Sequence, residues 1–179
     1  MIMVNMFVSV SIKFKILVLL LLCMSLLTAC GFHLRGKVDL PEQLSPLYVK
    51  AENLNSDLLR ELDRLFRTNN VSRAESEARA SAVLEIIQVI KSQRVLSVDT
   101  RGRVREYELS LRIQYSLRGK DVSSLDKTIH LGRDLLFDPD SVLAIGYEQE
   151  VLYEDMNRDA ARLILQQLAA VGKKTVNSE

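Results

Sequence analysis

From Tyr107 to Leu117 every second residue is apolar. Tyr107, Leu109, Leu111, Ile113, Tyr115 and Leu117 alternate with Glu106, Glu108, Ser110, Arg112, Gln114, Ser116 and Arg118. Successive side chains of a strand point to opposite faces, so this pattern predicts one long strand with a buried face and a wet face. A strand of that kind needs neighbours along both edges and an apolar layer to cover it.

The flanking sequence supplies both. β-Branched residues dominate Ala82 to Val98, which predicts a second long strand. Asp99-Thr-Arg-Gly-Arg103 joins it to the alternating strand as a turn, with Gly102 free to take a positive φ. Gly119-Lys-Asp121 turns the chain back, and Ile129, Leu131, Leu135 and Phe137 continue the alternation in a further strand ended by Asp138-Pro-Asp140. Upstream, Leu47 to Ala51 reads as a short strand. It is followed by an amphipathic helix over Leu54–Arg67, with apolar residues at 54, 58, 59, 62, 65 and 66. Asn55 or Ser56 suits its start and Asn69-Asn70 its end, and the pairs Asp57/Arg60 and Asp63/Arg67 suit its solvent side. Residues 72–81 read as a loop. A last helix is expected from about Glu148, or from Ser141, to Val171, with Leu152, Met156, Ala160, Leu163, Ile164, Leu168 and Val171 in its stripe. Gly172 is expected to stop it, leaving 173–179 as a disordered tail.

The order is β-α-β-β-β-α. Two one-faced helices and a one-faced sheet are most simply joined as an α+β two-layer sandwich. We expect a mostly antiparallel four-stranded sheet with both helices on one face, spanning residues 47–172.

The N-terminus follows a different logic. Lys13 and Lys15 precede the apolar run Ile16 to Met24, and small residues follow at Ser25, Thr28 and Ala29. That is the layout of an export signal; a membrane-crossing helix would need about 20 apolar residues. Leu-Thr-Ala-Cys30 resembles the lipobox of bacterial lipoproteins, so residues 1–29 are expected to be cleaved and Cys30 lipidated, with 30–46 an extended leader. Gly31 after the cysteine, by resemblance to sorted Gram-negative lipoproteins, implies the periplasmic side of the outer membrane. The residues before Lys13 exceed what a signal needs, so Met6 is an alternative start.

With Cys23 removed, Cys30 is the single mature cysteine and no intrachain disulfide can form. The 24 Lys and Arg, less Lys13 and Lys15, leave 22 against 23 acids. That balance argues against a general nucleic-acid binder. No nucleophile elbow, zinc-protease motif or phosphate-binding glycine loop occurs. His130 falls on the polar face of the last strand beside Asp126 and Asp134, where an exposed histidine is the simpler reading than a general base. Asp134, Asp138 and Asp140 lack the glycine and closing glutamate of a calcium loop. The chain is expected to be no enzyme, and to carry no metal and no cofactor beyond the lipid on Cys30. One local charge feature stands out: Arg94, Arg101, Arg103 and Arg105 surround the first hairpin turn. Guanidiniums there could grip phosphates, while a merely solvated turn is the somewhat simpler reading.

The residues Cys30-Gly-Phe-His-Leu-Arg-Gly36 resemble the mature N-terminus of the LptE family of LPS-assembly lipoproteins. Glu106-Tyr107, Asp138-Pro139 and Met156-x-x-Asp159-Ala-Ala161-x-x-Leu also agree, and the element order matches that family. The resemblance implies a lipid-anchored outer-membrane protein that plugs and helps assemble the LptD β-barrel and delivers lipopolysaccharide to the outer leaflet. It implies a lipopolysaccharide-binding role for Arg101, which we extend to Arg103. The family's second basic position, before the last helix, falls here at Ile145 or Gly146. A lipid or lipoprotein carrier is the alternative function; it would require an apolar sheet lining, which the polar alternation over 106–118 does not provide.

Overall fold

The computed structural model describes residues 38–51, 56–120, 122–138 and 142–176. The signal segment, Cys30, the Gly31–Lys37 stretch, Asn55, Asp121, Asp140 and the tail after Val176 lie outside them, as does the Ser56 side chain. The described residues form β1 (Leu47–Lys50), α1 (Ser56–Thr68), β2 (Ala82–Val98), β3 (Val104–Gly119), β4 (Val122–Leu136) and α2 (Val142–Val176). The sheet runs in the order β1-β2-β3-β4. β1 pairs with β2 in parallel, and the two following pairs are antiparallel.

The alternation in β3 divides the sheet's faces. Leu109, Leu111, Ile113, Tyr115 and Leu117 are buried, while Arg112, Gln114 and Arg118 are exposed. Against the buried face lie Leu58, Leu62 and Phe66 of α1 and Met156, Ala160, Ile164, Leu165 and Leu168 of α2, joined in one core. Both helices cover the same face of the sheet. Lys91, on the inner side of β2, reaches Asp57 of α1 at 3.2 Å and stands 5.1 Å from the ring centroid of Tyr153 on α2. The Tyr153 hydroxyl donates to the Ser92 carbonyl at 2.9 Å, and Arg133 of β4 pairs with Asp159 of α2 at 2.6 Å.

At the end of α1 the paired asparagines act as read. Asn70 takes φ +56°, and Asn69 donates its Nδ2 to the Leu65 carbonyl at 2.8 Å while its Oδ1 accepts the Val38 N–H at 2.8 Å. Asp57–Arg60 and Asp63–Arg67 are both paired on the solvent side.

Four boundaries differ from the sequence reading. The segment read as an extended leader joins the fold before Leu47: Glu42–Leu44 forms a 3₁₀ turn, Leu44 is fully buried, and Val38 and Leu40 pack on the core. Prolines at 41 and 46 hid this, because a single buried leucine has no period. β4 begins at Val122, earlier than its apolar residues suggest, because the register with β3 continues to Gly119↔Val122. Phe137 lies just beyond β4, with its N–H bonded to the Arg105 carbonyl at 2.8 Å. Finally, α2 starts at Val142 and runs through Gly172 to Val176, so Ile145 and Gly146 lie within it and not before it. A lone glycine costs a helix only about 1 kcal/mol, which does not force a stop.

Candidate functional site

α1 does not reach along the whole sheet. β2 has 17 residues and α1 has 13, lengths of about 55 Å and about 20 Å. Asp57 contacts Lys91, so the β2–β3 hairpin continues past the start of α1 with Gln93 to Val98 largely exposed. This exposed tip carries the arginine cluster.

The turn is built by one aspartate. Asp99 and Arg103 exchange a main-chain bond (Asp99 N–H to Arg103 O, 2.8 Å), and Gly102 N–H donates to the Asp99 carbonyl at 2.9 Å. Gly102 sits at φ +77°, which a side chain would strain. Asp99 Oδ1 accepts the main-chain N–H groups of Arg101 (2.8 Å) and Arg103 (3.0 Å), and Oδ2 accepts Arg103 Nε at 2.8 Å. These donors hold the Asp99 carboxyl below the ordinary aspartate range, the Arg103 main-chain N–H foremost, against an opposing effect of burial.

The four arginines therefore differ. Arg94 is bonded through Nε to Glu108 across the hairpin, and that bond lowers the Glu108 pKa. Arg103 is occupied by Asp99. Arg101 and Arg105 are exposed and make no side-chain hydrogen bond or ion pair among the described residues. Of the two residues expected to grip phosphate, the structure leaves Arg101 free and engages Arg103 in the turn. Arg105 belongs to the same cluster in the sequence, and the fold leaves it as exposed as Arg101. The Asp-x-Arg-Gly-Arg spacing was the available signal, since an aspartate opening a turn bonds the N–H two residues on.

Apolar side chains surround the tip. Val95, Leu96 and Val98 of β2 and Leu136 of β4 are exposed, Leu136 by 70%. A register shift between Val95 and Ser97 breaks the alternation and leaves Leu96 without a partner on β3, while Leu136 lies opposite Glu106 on the outer face. Tyr107 and Phe137 stack edge to face nearby, centroids 5.4 Å apart.

The outer sheet face is polar along β3 and β4. Arg112 lies opposite His130, Gln114 opposite Thr128, Glu108 opposite Asp134 and Ser116 opposite Asp126. His130 is exposed. The exceptions are Leu136 of β4, opposite Glu106, and on β2 Ile90, in register with Arg112, and Ile87, extruded by a register shift between Ile86 and Gln88. Among the described residues, no helix is long and apolar enough to cross a membrane.

This architecture, a four-stranded sheet roofed on one face by two helices with an exposed hairpin tip, is that of a class of bacterial lipoproteins. The chain matches the crystal structure of rare lipoprotein B from Shewanella oneidensis at 28% identity, covering 74% of this chain and 98% of that one, with a TM-score of 0.65. It also matches the solution structure of an uncharacterized lipoprotein B from Nitrosomonas europaea at 31% identity, covering 81% and 96%, with a TM-score of 0.66. A family model described as LptE, lipopolysaccharide-assembly, matches residues 44–168. The LPS-assembly lipoprotein LptE of Photorhabdus laumondii is 30% identical over 160 residues (89% of this chain, 88% of the relative). That of Yersinia pestis strain Pestoides F is 32% identical over 163 residues (89% and 78%). The chain belongs to the LptE family.

Proposed function

We propose that this protein is a lipopolysaccharide-assembly lipoprotein, anchored by acyl chains on Cys30 to the periplasmic side of the outer membrane. There it serves as a non-enzymatic plug and assembly subunit for an LptD-like β-barrel. The observation that carries the reading is the one-sided construction of the domain. Its helices and apolar core lie on one side, and the other sheet face exposes polar and charged side chains along β3 and β4. The lumen of a large outer-membrane barrel is polar and wet, so a surface with Arg112, Gln114, Arg118, Thr128 and His130 outward suits it without dehydrating an apolar wall. Membership of the LptE family supports the same role. Two or more acyl chains anchor a protein stably, at about 0.8 kcal/mol per buried methylene.

In this reading the tip meets lipopolysaccharide. Arg101 supplies an uncommitted guanidinium for a phosphate, Arg103 keeps the turn in shape through Asp99, and the exposed Val98 and Leu136 lie beside them. A carrier with its own lipid cavity is disfavoured, because Leu109, Leu111, Ile113, Tyr115 and Leu117 pack directly against the helices.

Affinity purification of the full-length lipoprotein from detergent-solubilised outer membranes tests the proposal. A large β-barrel is expected at equal stoichiometry, surviving high salt. Recovery of the lipoprotein alone, under detergents that keep outer-membrane complexes intact, would refute the plug role.

A further inference from the structure

β1 covers only the beginning of its neighbour. It pairs with Ala82–Glu85 of β2 and ends at Lys50, opposite Glu85. From Ile86 to Val98 β2 runs on with β3 along one side. Among the described residues, no main-chain hydrogen bond reaches that stretch from its other side. Register shifts at Ile86/Gln88 and Val95/Ser97 bracket Gln88–Val95, which stays in unbroken register with β3 over about 25 Å. Every second residue there turns its N–H and C=O away from β3, a ladder that another main chain can match.

This edge is open from both faces. Ile90, Ser92 and Arg94 on the outer side and Lys91, Gln93 and Val95 on the inner side are all exposed. Its two cations are already committed, Lys91 to Asp57 at 3.2 Å and Arg94 to Glu108. Of the exposed large apolar side chains among the described residues, Ile87, Ile90, Val95, Leu96 and Val98 lie on this part of β2, and only Leu136 and Tyr147 elsewhere. The opposite edge of the sheet differs. β4 carries Asp126, Lys127 and Asp134, all exposed, and charge along an edge strand opposes pairing with another chain.

We propose that Gln88–Val95 receives an extended segment of the barrel partner as a fifth strand, in line with β1; this assignment rests on the plug role above. The unmet main-chain ladder selects an extended chain over a helix or a lipid, neither of which returns alternating donors and acceptors. A second copy of this chain does not fit. Strands keep their side chains on the same face only in alternate registers. Antiparallel self-pairing centred on Lys91 sets that cation opposite itself. Centred on Ser92, it brings the copy's Asp99 opposite Glu85 and drives its turn into the place that β1 holds. The barrel meets neither obstacle: outer-membrane barrels carry long loops, and loops enter the lumen in some of them, where a plug sits. Ile90 on the outer side and Val95 on the inner side offer such a segment aliphatic cross-strand neighbours.

Hydrogen–deuterium exchange tests this, comparing the full-length lipoprotein alone with the complex purified from outer membranes. In the complex, about half the amides of Gln88–Val95 are expected to exchange about a hundredfold more slowly or less. Amides of Leu125–Arg133, on the other edge, are expected to keep the rate of the lipoprotein alone. A recovered barrel with unchanged exchange over Gln88–Val95 overturns the assignment and leaves the plug role standing. Equal slowing along both edges also overturns it, because enclosure alone accounts for that. Slowing in the lipoprotein alone that grows with its concentration assigns the edge to a second copy and overturns the assignment as well. Failure to recover any barrel overturns the plug role, and this assignment with it.

Discussion

The guanidinium of Arg103 is tied to the carboxylate of Asp99, Nε to Oδ2 at 2.8 Å, within the turn that presents Arg101 to solvent. The two arginines are one residue apart from a shared glycine, yet only one has its charge available. A phosphate would have to displace the Asp99 carboxylate to recruit Arg103. It meets no such competitor at Arg101.

Lipopolysaccharide binding should therefore depend unequally on the tip. We expect Arg101→Glu to weaken binding of the purified lipoprotein to lipopolysaccharide by about tenfold or more at low salt. Arg105→Glu is expected to act in the same direction, and Arg103→Glu to act less. Displacement of a fluorescent lipopolysaccharide measures all three. A larger loss from Arg103→Glu than from Arg101→Glu would show that the resting ion pair opens for ligand.

Asp99 also makes the turn sensitive to acid. Its folded pKa is lowered, chiefly by the Arg103 main-chain N–H, so its contribution is complete above the unfolded value, about 3.9. It fades as pH falls through the lowered folded value. Amide exchange at Arg101 and Arg103 should thus stay protected at neutral pH and become faster relative to the β3 core below about pH 4. Asp99→Ala should show the faster exchange at neutral pH. Protection in that variant equal to the parent's would contradict the role given to the carboxylate.

Tyr115 is the largest side chain fully buried on the inner face of β3, and its hydroxyl donates to Gln167 Oε1 of α2. Burial pushes its pKa up to about 12. The unfolded tyrosine ionises near 10, so its contribution to stability is fully present below about pH 10 and declines as pH rises toward the folded value. Phenolate absorbance should appear in two stages, with Tyr115 in the later one. Burial raises Tyr153 as well, so Tyr115→Phe is expected to reduce the late stage and not abolish it, at a cost of about 1 kcal/mol in chemical denaturation, since Gln167 loses a partner.

Cys30→Ser should separate anchoring from folding. Without acyl chains the protein is expected in the soluble periplasmic fraction, unlabelled by radioactive palmitate, with the circular dichroism of the parent. Continued membrane association of this variant in the absence of any barrel would assign the anchor elsewhere.

Sequence periodicity alone determined the element order, the strand faces of β3, the stripe of α1, and the glycine-bearing turn at Gly102. Each is a local property: side-chain period, main-chain φ and turn chemistry act over a few residues and leave a repeat that can be read. The lipobox reading rests on residues outside those described here, and the family resemblance was carried by short motifs along the mature chain.

Tertiary structure decided the rest. Leu44 has no repeat to announce it and is buried as a member of the one core that the sheet and helices share. Ile87 and Leu96 look like core residues in a β-branched run, and they are turned outward by register shifts that depend on the partner strand. Arg103 and Arg101 are alike in sequence, and only the folded turn sets one against Asp99 and leaves the other free. Asn157 reads as a polar residue on a helix; only the packing of α1 against α2 buries it and leaves its oxygen unpaired. In each case the outcome depends on which distant atoms arrive, and no local pattern encodes that.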